Sequence, residues 1–134
     1  MNTVQVDIVT PEKKVYEGQA TMVVAVGVEG ELGVMAGHAP LVTPLKIGVL
    51  RVKNNDGEQK IAVSGGFLEV RPDKVTVLAD TAELPEEIDV ARAERAKELA
   101  EQRRKDLKRE DAEFKLNELA LERAINRLKI ANRR

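Results

Sequence analysis

Apolar and polar residues alternate one by one through the first part of the chain and recur every three to four residues through the last. Val4-Gln5-Val6-Asp7-Ile8 has the period of two that predicts a half-buried strand. Lys14-Val15-Tyr16-Glu17 repeats it after the turn chemistry of Thr10-Pro11-Glu12-Lys13. Thr21 to Val28 is β-branched and almost wholly apolar, as expected of a strand buried on both faces. Val49-Leu50-Arg51-Val52-Lys53 and Lys60-Ile61-Ala62-Val63 flank Asn54-Asn55-Asp56-Gly57, a hairpin signature. Ser64 to Val70 and Val75 to Ala79, parted by Arg71-Pro72-Asp73-Lys74, complete the series. Short strands with turn signals every eight to twelve residues predict an antiparallel sandwich or flattened barrel. The aromatic residues are Tyr16, Phe67 and Phe114, so the core is aliphatic.

The period changes at Glu83-Leu84-Pro85-Glu86-Glu87-Ile88-Asp89-Val90-Ala91-Arg92-Ala93. All nine glycines lie at or before Gly66, and Pro85 is the last proline. Pro85 disfavours helix at Leu84, and Asp89 is a good N-cap for a helix that follows. The expected fold class is therefore α+β: a sandwich over residues 1–84 and a helical region over residues 85–134, with this stretch as a hinge. Ala93, Ala96, Leu99 and Ala100 mark one face of a first helix. The apolar pattern thins to Leu107 between Arg103 and Asp111, where a turn is expected although no glycine or proline forces one. A second helix is predicted over about Ala112 to Ala131, with Leu116, Leu119, Ala120, Ala124 and Leu128 as its stripe and Leu121 and Ile125 widening it. Without a hard breaker the two helices can form an antiparallel hairpin or one extended rod, which would reach about 65 Å.

Charge sharpens the division. Residues 1–83 carry eight basic and eleven acidic side chains; residues 84–134 carry fourteen basic and twelve acidic. The helical half is thus about half charged and has few positions left for a core of its own. The formal net charge of −1 gives no general reason to bind nucleic acid or an anionic membrane. There is no cysteine and only one histidine, which excludes disulfides, thiolate catalysis and a histidine-rich metal site. The densest apolar run, Met22 to Val28, is far too short to span a membrane. The start of the chain has no signal pattern, so a cytosolic protein is expected, peripheral to a membrane complex at most.

Candidate chemistry is sparse. Ser64-Gly65-Gly66 lacks the Lys-Ser/Thr and the following helix of a phosphate loop, and reads as a bulge or a close backbone approach. His38 has no Ser/Asp constellation around it, and a loop or interface role is preferred. Glu29 and Glu31 form an acidic loop tip, solvated or at an interface. Arg123 and Arg127 lie four apart and share a helix face. In a closed hairpin Arg92 can join them, and three guanidiniums together call for a polyphosphate guest. On spacing alone, solvation or pairing with Glu118 and Glu122 is the preferred reading of these arginines.

Four segments carry a resemblance: Glu29-Gly30-Glu31-Leu32-Gly33-Val34, Gly37-His38-Ala39-Pro40-Leu41, Ser64-Gly65-Gly66-Phe67-Leu68-Glu69-Val70 and Val75-Thr76-Val77-Leu78-Ala79-Asp80-Thr81-Ala82. In that order, followed by a charged helical tail, they resemble the epsilon-subunit family of bacterial F-type ATP synthases over the whole chain. The resemblance implies a sandwich of about ten strands with a two-helix hairpin. It implies a non-catalytic rotor subunit of the central stalk, at the cytoplasmic face of the bacterial cell membrane. The implied partners are the gamma subunit on the His38 side, the c-subunit ring against Glu29 and Glu31, and the alpha and beta subunits. Extended helices would block ATP hydrolysis, with Arg103, Arg104, Lys105, Lys108 and Arg109 as candidates to meet acidic loops of beta.

One branch of that family carries an Ile/Leu-Asp-x-x-Arg-Ala motif for ATP. Ile88-Asp89-Val90-Ala91-Arg92-Ala93 matches it in full, and Glu83, Arg123 and Arg127 match positions that complete the site in such relatives. The resemblance thus implies ATP as a regulatory ligand, with or without magnesium, and no catalytic cofactor. Relatives can carry a further arginine on the first helix where this chain has Leu99. The alternative is a purely structural coupling subunit with a vestigial motif.

Overall fold

A computed structural model of the protein describes residues 2–131. Its elements run β1 Val4–Val9, β2 Lys14–Ala20, β3 Met22–Gly27, β4 Gly30–Val34, β5 Leu41–Asn54, β6 Gly57–Val70, β7 Lys74–Ala79, β8 Ala82–Glu83, a 3-10 turn Pro85–Glu87, α1 Val90–Asp106 and α2 Ala112–Ile130. They fall into two compact units, Met1–Leu84 and Pro85–Arg134.

In the first unit the strands follow the order β2-β1-β7-β6-β5-β3-β4, with β8 also on β6. Among the described residues there are eight strands where about ten are expected. The difference lies in β5 and β6, each of fourteen residues. Their antiparallel ladder lapses at Lys46 and Gly65, and the buried set changes parity there. Ile61 and Val63 are buried before Gly65, and Leu68 and Val70 after it. Side chains on one face of a strand are two apart, so such a switch marks where a strand bends from one layer into the other. Each long strand therefore serves both layers. Gly66 takes φ 120°, and a Cβ there would run into the Leu78 carbonyl and lie 2.8 Å from Ala79 Cα. This is a close approach of β6 to β7, so Ser64-Gly65-Gly66 is a corner of the sheet.

One pairing departs from the antiparallel expectation: β1 runs parallel to β7, from Gln5 opposite Lys74 to Val9 opposite Leu78. Pro44 is tolerated in β5 because its carbonyl accepts the Val28 N–H, so its missing donor faces the end of β3 and not the β6 ladder. The core is one aliphatic cluster that includes Val4, Ile8, Val23, Val52, Ile61, Leu68 and Val77. On the opposite face of β1 a polar row crosses three strands. Gln19 Nε2 donates to Gln5 Oε1 at 2.6 Å, Gln5 Nε2 donates to Asp7 Oδ1 at 2.9 Å, and Lys74 Nζ lies 3.1 Å from Asp7 Oδ2. The Gln5 hydrogen bond, helped by the Lys74 ammonium and opposed by burial, holds the Asp7 carboxyl below its ordinary value.

The second unit is a helical hairpin. α1 starts where expected, because Asp89 Oδ1 accepts the Arg92 N–H at 3.1 Å. It runs to Asp106, further than the thinning apolar pattern suggests, and ends at Leu107, which turns extended. A five-residue turn folds α2 back antiparallel, closed by Asp111 N–H to the Lys108 carbonyl at 3.0 Å. The expected stripe needs correction. Ala93, Ala100, Leu121 and Ala124 are buried, but Ala96 is exposed, and Leu99 and Leu116 are 49% and 65% exposed. The reason is Asn117, a buried polar residue whose Nδ2 donates to the Ala100 carbonyl at 2.8 Å. With Asn117 on the seam, the positions that follow at helical spacing are Leu121 and Ala124, and Leu116 is rotated outward.

Candidate functional site

The motif residues are placed by the helix start. Ile88 is buried just ahead of the cap, Asp89 is the cap itself, Arg92 projects from the first turn of α1, and Ala93 is buried one residue on. The Asp89 carboxylate is thereby committed to the Arg92 backbone, which fixes the turn that carries the Arg92 side chain. Arg123 and Arg127 are half-buried and one turn apart near the end of α2. The antiparallel hairpin brings them to the end at which Ile88 to Ala93 lie. Leu99 stands seven residues beyond Arg92, so two turns along the same face, and offers no charge there. Glu83 belongs to β8 in the first unit and pairs with Ala62 of β6.

The basic candidates sit at the other end of the hairpin. Arg103, Arg104 and Lys105 form the last turn of α1, where cations complement the helix dipole, and Lys108 and Arg109 lie in the turn. They are not equivalent: Arg104 Nε lies 2.9 Å from Glu118 Oε1.

In the sandwich, Glu29 occupies the turn between β3 and β4, but Glu31 is on β4 and not on the loop tip. Glu31 Oε1 is bound by Arg51 Nη2 at 3.2 Å, an ion pair in which Glu31 is exposed and Arg51 is half-buried. His38 Nδ1 lies 2.7 Å from the Ala39 carbonyl, in a loop tied to the β6–β7 turn by Gly37 N–H to the Pro72 carbonyl at 2.8 Å.

The structure also assembles a surface that sequence reasoning missed. Pro44, Phe67 and Leu78 stand directly opposite one another across β5, β6 and β7. All three are exposed, as is Val42 two residues from Pro44, so an apolar patch faces outward. Phe67 and Leu78 each lie beside a buried residue in a period-two pattern, but only the pairing register reveals that they meet. Among the described residues no group of acidic and histidine side chains can hold a metal ion, and no helix is long and apolar enough to cross a membrane.

Residues 3–85 match the ATP synthase, Delta/Epsilon chain, beta-sandwich domain. Residues 86–132 match the ATP synthase, Delta/Epsilon chain, long alpha-helix domain. The chain belongs to the ATP synthase delta/epsilon family. It is 54% identical to the ATP synthase epsilon chain of Halalkalibacterium halodurans, over 99% of this chain and all of the relative. It is 53% identical to that of an Exiguobacterium species, over 97% of this chain and 96% of the relative. A chain in the Euglena gracilis mitochondrial ATP synthase OSCP/F1/c-ring structure superposes with a TM-score of 0.75 at 28% identity, covering 90% of this chain and 76% of that one. A chain from the Tetrahymena thermophila mitochondrial ATP synthase central stalk and c-ring, at 12% identity and a TM-score of 0.58, shares the fold. An epsilon chain is a non-catalytic subunit, and the catalysis of ATP synthase lies in other subunits.

Proposed function

We propose that this chain is a coupling and regulatory subunit of the central stalk whose helical hairpin senses ATP. The observation that carries the reading is the shared end of the hairpin. The Ile88–Ala93 motif opens α1 there, with its cap bond in place, and α2 delivers Arg123 and Arg127 to the same end. A triphosphate bound there neutralises guanidiniums from both helices, so it favours the closed hairpin over the extended one. At one hundred times its dissociation constant, such a ligand adds about 2.7 kcal/mol to the closed state. Asp89 acts by presenting the first turn, and Arg92, Arg123 and Arg127 meet the phosphates, with or without magnesium. Glu83, which the resemblance adds to the site, belongs to β8 of the other unit.

The sandwich is the docking unit. The Val42, Pro44, Phe67 and Leu78 patch and the nearby His38 loop suit a protein partner, which we assign as gamma. Glu29 and Glu31 are assigned to polar loops of the c-ring, and on that reading the subunit works at the cytoplasmic face of the membrane without entering it. In the extended state the Arg103–Arg109 segment meets acidic loops of beta and blocks hydrolysis.

The test is hydrolysis by the assembled enzyme as ATP is raised. The wild-type chain should release inhibition at rising ATP, whereas Arg92→Ala and Arg123→Ala chains should stay inhibited at the same concentrations. Equal release in all three would leave a structural coupling subunit with a vestigial motif.

A further inference from the structure

The helices of the hairpin meet along a narrow apolar seam, and near the turn that seam is interrupted by polar groups. Asn117 is buried, and its amide donates to the Ala100 carbonyl at 2.8 Å. The next residue, Glu118, meets Arg104, one turn beyond Ala100, at 2.9 Å. Glu118 Oε1 is shut from water and accepts no hydrogen bond of good geometry, so this second contact is an ion pair without a hydrogen bond.

The Asn117 bond is built to be broken. A carbonyl in the middle of α1 already accepts from the amide four residues on, so the Ala100 carbonyl keeps a partner when Asn117 leaves. Asn117 itself regains water. Parting the helices therefore orphans neither group. An apolar side chain at 117 would continue the seam of Leu121 and Ala124 and hold the helices by area alone. A polar residue in a helix seam fixes register instead, at a cost in stability. The helices leave a cleft of about 540 Å³ there, lined by Asn117 together with Arg103, Leu107, Leu116 and Ala120.

We propose that Asn117, assisted by the Arg104–Glu118 pair, is the clasp that sets the balance between the closed and the parted hairpin. It thereby tunes nucleotide affinity at the opposite end as a positioning residue that never touches the nucleotide. The second half of this statement rests on the ATP-sensing reading above. No pathway through the helices is required. A ligand that needs Arg92 on α1 and the two arginines on α2 binds only the closed form, and its apparent affinity scales with the fraction closed.

The full chain suits a direct test, because it has no native cysteine. Spin labels on cysteines at Glu94 and Lys129, both exposed, report a short distance when the hairpin is closed and a long one when it is extended. The populations are compared at the temperature where the wild-type chain shows both equally, without nucleotide. Asn117→Asp sets a carboxylate oxygen against the Ala100 carbonyl and should lower the closed-to-parted ratio about tenfold. Glu118→Gln should lower it about twofold. Millimolar ATP should restore the short distance in Asn117→Asp, with affinity weakened about fivefold. If the aspartate unravels α2, seen as lost helicity, Asn117→Ala replaces it, with a threefold fall expected. An unchanged ratio in the aspartate and alanine variants overturns the clasp, whatever ATP does. A shifted ratio in a chain that ATP never closes keeps the clasp and overturns the ATP-sensing reading.

Discussion

The two units solve the problem of holding a fold in opposite ways. The sandwich joins residues far apart in sequence: β1 lies beside β7, and β3 beside β5. Its interior is aliphatic, with Val4, Val6, Ile8 and Ile61 fully enclosed. Among the described residues, the buried positions of the hairpin unit include Ala93, Ala100 and Ala124, with Asn117 and Asn126 among them. Alanines bring little area, at about 0.8 kcal/mol per buried CH₂, so the hairpin is weakly held. On the proposed function, the first design suits a frame that carries load and the second an element that opens and closes, since small differences in binding can move a weakly held hairpin.

The sharpest break in the comparison comes from the corner of the sheet. Gly66→Ala should destabilise the sandwich by about 3 kcal/mol or more, because its Cβ has nowhere to go and its φ suits glycine. Thermal melting followed by the β-sheet signal reads this, and an unchanged midpoint would contradict the corner. Next come matched core truncations. Ile61→Ala should cost about 3 kcal/mol in sandwich stability, whereas Leu121→Ala should leave the sandwich midpoint in place and part the hairpin. Equal effects on the sandwich signal would erase the distinction between frame and switch. Asp89→Ala removes a cap worth about 1 kcal/mol, so hydrogen exchange at the Arg92 amide should quicken about fivefold while the rest of α1 keeps its protection.

The smallest effect is in the polar row. Asp7 has a depressed carboxyl value in the fold, so its contribution is present above the ordinary carboxylate range, near pH 3.9, and is lost as pH falls through the lower folded value. Asp7→Asn should flatten the acid side of the stability profile and leave the neutral side nearly parallel to wild type. A profile of unchanged acid slope would show that other carboxylates carry it.

Much of this was legible in the chain. Asn54 to Gly57 gives its hairpin because a two-residue turn, Asn55-Asp56, followed by a glycine at φ 146° is a local choice, and the cap at Asp89 is local as well. What escaped reading is non-local. The parallel pairing of β1 with β7 leaves no mark in either strand, and the parity switch across Gly65 appears only when burial is known. The seam of α2 was misread because periodicity counts apolar residues, and Asn117 on that seam is polar. Asp89 reads in sequence both as a helix cap and, through the resemblance, as part of an ATP site, and the structure shows the cap. The apolar patch of Phe67 and Leu78 needed the sheet register.

A calorimetric titration of the full chain with ATP tests the central claim most directly, with Arg92→Ala and Arg123→Ala beside it. Saturable one-to-one binding that both variants weaken at least tenfold is the expected result, and it would show that Leu99 in place of a further arginine is tolerated. Absence of binding at millimolar ATP, or equal affinity in all three chains, would contradict the account. The sandwich would then stand as a docking frame whose hairpin answers to contacts within the enzyme and not to nucleotide.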